Sequence, residues 1–144
     1  MAVAISSQQE YPKVVSKAYA ALSGYDTGSA FTVTGDVLVK VVGVVGGTGI
    51  TCTSGTTTIS IGTTENAAEI IAATTIDNAD FAATDVWVDN NPGDDCETMD
   101  DNWVVIGGSA DIVMTRSVDD LTAGVLTLYC LWRPLSTDGN VVAA

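Results

Sequence analysis

The chain has 144 residues, with eighteen Asp or Glu, only five Lys or Arg, no histidine and a formal net charge of −13. Such a balance lacks the clustered bases that displace counterions from a phosphate backbone, so neither nucleic acid nor an anionic membrane is an expected partner. It also excludes Ser-His and Cys-His relays and imidazole-bound zinc within one subunit.

At this length a single domain buries about two-thirds of its unfolded surface, enough for a core without staples. Charged residues are only 16% of the total, and nineteen Thr and fourteen Gly fill the gap. Thr and Val favour pleated, half-buried strands, because their branched side chains pack well there.

The first 25 residues differ from the rest. Tyr11, Val14, Val15, Ala18, Tyr19 and Leu22 recur at helical spacing, Pro12 suits a first helical turn, and Lys13 and Lys17 lie on another face. The segment reads as a short helix or as an extended arm that orders against a partner. It carries two of the five bases and three of the four tyrosines (Tyr11, Tyr19, Tyr25), without an obvious core to receive them. The start, "MAVAISSQQEYPK", has no basic region followed by a long apolar run, so no signal peptide is expected.

Strand signals begin after "SGYDTGSA". "FTVTGDVLVKVVGVV" is apolar on both faces beyond Asp36, as in a buried strand, with Gly35 as a candidate bulge. "TTTISIG" places Ile59 and Ile61 on one face. In "NAAEIIAA", Asn66 and Glu69 have capping-box spacing, which predicts one or two helical turns. "DVWVD", "NWVVIGG" and "ADIVMTRS" are short strands between acidic or glycine-rich turns. "GVLTLYCLWRPL" is the longest, with Leu126, Leu128, Cys130 and Trp132 on one face and Pro134 as its stop. About seven short strands predict an all-β domain, a β-sandwich of jelly-roll type or a small barrel. The expected division is an N-terminal arm over 1–25, a β domain over 26–136 and a loose tail over 137–144.

Several stretches invite chemical readings. Asp89–Asp101, "DNNPGDDCETMDD", holds six carboxylates in thirteen residues. An EF-hand needs glycine sixth and glutamate twelfth, whereas counting from Asp89 gives Asp94 and Asp100. The stretch therefore reads as a hydrated loop, with a non-standard calcium site through Asp89, Asn91, Asp94 and Asp95 as its alternative. "DTGS", Asp26–Ser29, resembles the signature of aspartic proteases, in which two such loops share one proton. "VVIGG", Val104–Gly108, faintly resembles the later apolar-glycine element of dimeric members. Against this, Ser23–Tyr25 stands where an apolar strand should precede the aspartate, and a strand pattern follows the glycines. Asp and Gly are also ordinary turn formers.

Cys52, Cys96 and Cys130 are far apart and odd in number, with no C-x-x-C pair, so free thiols in a reducing compartment are expected. Trp87, Trp103 and Trp132 lie in or beside strands, where core packing is the ordinary role. No catalytic residue, cofactor or metal is assigned, and no enzyme activity is expected.

The succession "TGDVLVKVVGVVG", "TTTISIGTTENAAEIIAATT", "DVWVD…NWVVIGGSADIVMT" and "LTAGVLTLYCLWRPLS", from about Gly35 to Ser136, resembles small virion proteins of tailed bacteriophages. The type is the β-rich head-decoration or cement protein. The resemblance implies a homo-oligomer, trimer or dimer, made in the host cytoplasm. It would bind the outer surface of the head and clamp neighbouring major capsid proteins. Tyr11, Lys13, Val14, Val15, Lys17, Tyr19 and Leu22 are then the candidate contact residues. The alternative is a tail or spike module binding a receptor or glycan, assisted by calcium in the acidic loop, with Trp87 as a stacking platform. The remote alternative is a homodimeric aspartic protease.

Overall fold

The computed structural model describes residues 12–77, 81–93, 96–99, 101 and 103–144. Among them the chain is all-β, with twelve strands and no helix. The strands are β1 (Lys13–Tyr19), β2 (Gly28–Thr34), β3 (Val37–Val45), β4 (Thr51–Cys52), β5 (Thr58–Gly62) and β6 (Ile71–Thr75). They continue with β7 (Val86–Trp87), β8 (Val104–Ile106), β9 (Ile112–Ser117), β10 (Leu121–Ala123), β11 (Leu126–Pro134) and β12 (Asn140–Ala143). Every pairing is antiparallel.

One five-stranded sheet runs β1-β11-β3, and the far edge of β3 is shared by β8 at Val37–Val39 and β7 at Gly43–Val44. The second runs β12-β2-β9-β5-β6, and β4 and β10 form a separate ribbon. β3 alternates strictly between buried and half-buried positions, as expected when one face meets the core. Val37, Val39, Val41 and Val45 of β3, with Leu126, Leu128, Cys130 and Trp132 of β11, join one core. Phe31, Val33, Ile59, Ile61, Ile112 and Met114 of the other sheet close it. Each such side chain contributes about 1.5–3 kcal/mol by leaving water. The result is a sandwich-like pair of sheets around a single apolar layer.

Trp87 ties the layers together by a polar contact. Its indole Nε1–H donates to Thr74 Oγ1 of β6 at 2.9 Å, while the ring meets Phe81 edge-on at 5.6 Å. A buried indole N–H without an acceptor would be costly, so the threonine fixes the ring's position. The ring lies against Gly43, where a Cβ would come within 2.9 Å of Trp87 Cε3.

Several expectations are corrected here. The predicted single strand through Gly35 is two strands in different sheets, and Gly35 is the turn between them rather than a bulge, with φ +64°. Register shifts lie instead between Ser29 and Phe31, between Ile59 and Ile61, and between Leu121 and Ala123. The predicted helix at Asn66 is a looped-back turn. Asn66 C=O accepts from Thr63 N–H and Glu69 N–H, Ser60 Oγ donates to Ala67 C=O, and Ile70 N–H donates to Ile61 C=O at 2.9 Å. These bonds satisfy the backbone without helix, and the β-branched Ile71 goes into β6 opposite Ile61. The tail is not loose, since β12 pairs with β2 and Val141 enters the core.

At one end of the sandwich three connections between the sheets converge on Asp36. Its N–H donates to Ser136 Oγ at 2.8 Å, its C=O accepts from Leu135 N–H at 2.9 Å, and its Oδ1 accepts from Gly108 N–H at 3.1 Å. Gly35 N–H adds a bond to Ser109 Oγ at 2.9 Å. Ser136 Oγ also donates to Asp138 Oδ1 at 2.7 Å, which holds the Asp138 carboxyl below its ordinary value.

A Cβ at position 35 would stand 2.5 Å from both Asp138 Oδ1 and Ser136 Oγ, in a left-handed backbone region. Gly35→Ala is therefore expected to lower stability by about 1–2 kcal/mol, read from the urea midpoint. Ordinary turn glycines such as Gly47, with open space around them, should tolerate alanine far better.

Candidate partner-binding surface

Over its described residues, the segment singled out for partner contact is neither a helix nor a detached arm. Lys13–Tyr19 is an edge strand, paired along its whole length to β11 from Lys13↔Trp132 to Tyr19↔Leu126. Adjacent Val14 and Val15 favour this pleated form, and the apolar spacing that suggested a helix also satisfies alternation. Val15 and Tyr19 turn inward and pack against the core, while Val14 points outward, 62% exposed.

The candidate contact residues therefore separate. Lys13 is exposed, with its ammonium 4.7 Å from the centre of the Trp132 ring. Lys17 Nζ donates to the carbonyl of Ala144 beyond β12, so the first and last strands meet at one corner. Leu22 is fully buried, with its N–H bonded to Gly124 C=O at 2.9 Å, and is a core residue rather than a contact. Tyr11 lies outside the described residues. Tyr19 and Tyr25 do have a core to receive them: their rings meet edge-on at 5.4 Å, and Tyr25 Oη donates to Met114 C=O at 3.1 Å. Burial pushes both phenols above their ordinary value. The boundary at residue 25 thus dissolves, because residues 13–25 are part of the sandwich.

Charge is divided by secondary structure. All five bases lie on strands (Lys13, Lys17, Lys40, Arg116, Arg133), and every acid among the described residues lies outside them. Four of the bases belong to the sheet containing β1, β3 and β11. Trp103 sits beside this sheet, with the Lys40 and Arg133 cations each 5.9 Å from its ring centre.

The chemical readings of the other motifs are narrowed. Asp26 is largely exposed and ion-paired to Arg116 at 3.3 Å, and its Oδ1 also accepts from Thr27 N–H at 2.7 Å. The tetrapeptide "DTGS" therefore runs from a turn into β2, while "VVIGG" belongs to β8 and its turn in the opposite sheet. Trp87 is completely buried and offers no platform to a sugar. The acidic stretch opens as a small hairpin, with Val86 and Gly93 exchanging both backbone bonds and Asn91 N–H donating to Asp89 Oδ1 at 2.7 Å. Asp94, Asp95 and Asp100 lie outside the described residues. Among the described residues, no group of three or more His, Cys, Asp or Glu is arranged to hold a metal ion. A cleft of about 210 Å³ between β7 and β8 is walled by Lys40, Ile70, Asp89, Met99 and Val104, a mixed lining without a convergent set of polar groups.

All three cysteines are free thiols: Cys96 exposed, Cys52 half-buried and Cys130 buried. Burial pushes the Cys130 thiol up to about 12. An unfolded thiol ionises near about 8.5, so this group leaves stability unchanged below that pH and lowers it by about 1.4 kcal/mol per unit between there and pH 12.

Three outcomes are expected. Leu22→Ala should destabilise the fold by about 2–5 kcal/mol in denaturant titration, as a core truncation does and a surface contact does not. A thiol reagent at pH 8 should label Cys96 in the native protein and reach Cys130 only on unfolding, and replacing Cys130 with Val should flatten the loss of stability above pH 9.

No protein-family model, curated protein or solved structure matches the chain.

Proposed function

We propose that the chain is a structural protein of tailed-phage heads, a decoration or cement protein that grips the outside of the shell and braces neighbouring major capsid proteins. The carrying observation is β1, which among the described residues pairs with a strand on one side only, presents Lys13 and exposed Val14, and follows directly on the segment that holds Tyr11. An edge strand offers a row of backbone groups to an extended neighbour, and flanking side chains give register. Of the residues first assigned to contact, Lys13 and Val14 keep that role, with Tyr11 ahead of them and Lys17 at the corner. Val15, Tyr19 and Leu22 serve the core instead.

The resemblance over Gly35–Ser136 supports the reading, and so does the charge pattern. Acids gathered in the connections suit an outer surface held away from packaged DNA, while bases on the strands suit acidic neighbours. The brace acts by mass action: a protein that binds only the assembled shell stabilises it by RT ln(1 + [L]/Kd). Copies engaging several shell subunits multiply modest contacts through effective concentration.

Electron microscopy of assembled particles tests this reading. Copies spread over the whole head are expected, and confinement to one vertex or the tail tip overturns it. Removing residues 1–12 together with Lys13→Glu should reduce co-sedimentation with shells at least about tenfold, a loss of about 1.4 kcal/mol in binding, with the thermal transition retained.

A further inference from the structure

We infer that the outer edge of β8, with the groove beside it, is a docking site for an extended peptide of another protein that carries Lys or Arg at alternate positions. This goes beyond the shell reading, which rests on β1 at the opposite edge of the same sheet, and either can fail without the other.

Register shows which way the backbone of β8 faces. Val45, at the end of β3, bonds toward the β7 side: its N–H donates to Asp85 C=O at 2.9 Å and its C=O accepts from Thr84 N–H at 3.2 Å. β3 pairs with β11 without a register shift from Val45 to Val37, so alternation turns the backbone groups of Val39 and Val37 to that same side. There they meet Val104 and Ile106. Val105, between those two, therefore directs its N–H and C=O away from β3, toward the open edge. Among the described residues no backbone group bonds to Val105 or to the adjoining Gly107 from that side, and the Val105 side chain is 63% exposed.

Between this edge and the Thr63–Ile70 turn of the other sheet lies a groove of about 190 Å³. Its floor is Ile70, Val104 and Ala110, partly buried and packed on the core, and its far wall carries the exposed Glu65 and Glu69. The volume falls short of the roughly 300 Å³ at which small-molecule sites begin, and suits one or two side chains instead.

Backbone and charge together select the occupant. A strand laid along β8 takes the Val105 N–H and C=O into its own ladder and points every second side chain into the groove. A side chain entering there meets an apolar floor and then a carboxylate, which matches the stem and head of a lysine or arginine. Both charged residues lining the groove are acids, and Asp36 adds a carboxylate at its end, where a Cβ on Gly107 would stand 3.4 Å from Oδ1. Lys40 opens on the neighbouring cleft, which shares Ile70 and Val104 with this one. The edge at β1 carries Lys13 and Lys17, so the two edges of one sheet favour partners of opposite charge.

Titrating the isotope-labelled full chain with a capped hexapeptide of alternating Lys and Val, followed by amide NMR, tests the site. The expected result is saturable shifts at Val105 and Gly107 with a dissociation constant of about 0.1–1 mM, and slower hydrogen exchange at Val105 in the complex. Glu69→Gln should weaken binding at least about threefold, whereas Asp119→Asn removes the same charge from the β9–β10 turn and should not. Val105→Pro deletes an N–H that no ladder uses and should abolish binding with the thermal transition retained. If that variant loses its transition, an N-methylated hexapeptide, equal in charge but unable to complete the ladder, gives the same reading by failing to bind. An unshifted Val105 amide at about 5 mM peptide, equal binding by the N-methylated or a Glu–Val peptide, or tighter binding by a peptide of residues 1–12 would each overturn the assignment. The last of these outcomes would give the groove to this chain itself.

Discussion

A chain that builds two facing sheets must pass between them, and every passage takes backbone out of a ladder at the sandwich end. Here three passages, from β2 to β3, from β8 to β9 and from β11 to β12, meet at Asp36. Its N–H, C=O and carboxylate each hold a different neighbour, so backbone groups that would otherwise lack partners satisfy one another. Gly35 gives the turn its left-handed step, and Ser136 links the group to Asp138. With that end fixed, the alternation of β3 and β11 can only run one way, and the core residues of both sheets face inward together.

The separation of charge follows from the same architecture. Strands of a thin sandwich have one face in the core and their edges in ladders, which leaves few sites for carboxylates. The connections, mostly hydrated, take every acid among the described residues. Strand-borne bases lie along apolar surface with their charged ends outward or over rings, as Lys13 does over Trp132. The consequence is that four of the five bases share the sheet of β1, β3 and β11, while the described acids stand in the connections of both sheets.

Composition was enough to read the fold class, because threonine and valine have a clear physical preference. It was not enough for individual elements. Tyr11, Val14, Val15, Ala18, Tyr19 and Leu22 fit a helix by spacing, yet pairing with β11 decided for a strand, and short apolar runs carry no information about such a distant partner. The Asn66–Glu69 spacing imitated a capping box, but Thr63 and Ser60 offered the backbone other bonds. Residues 140–143 looked loose because a run of four residues is too short to show a period; their order comes from pairing with β2 and from Val141 in the core. For the candidate contacts, Lys13 and Val14 were legible as surface, whereas the burial of Leu22 depends on Gly124, a hundred positions away. The half-exposed outer side of β3 was hidden, since a run apolar on both sides reads as doubly buried.

The arrangement of β1 has a bearing on how the protein is made. Its ladder partner is the penultimate strand, and β2 and β3 likewise wait for partners near the far end. During translation these early strands must leave the ribosome long before their neighbours exist, so neither sheet can close until β11 and β12 have emerged. Nascent chains of this design keep apolar strands unpaired for most of that time, which favours dense turn carboxylates as a guard against premature clumping.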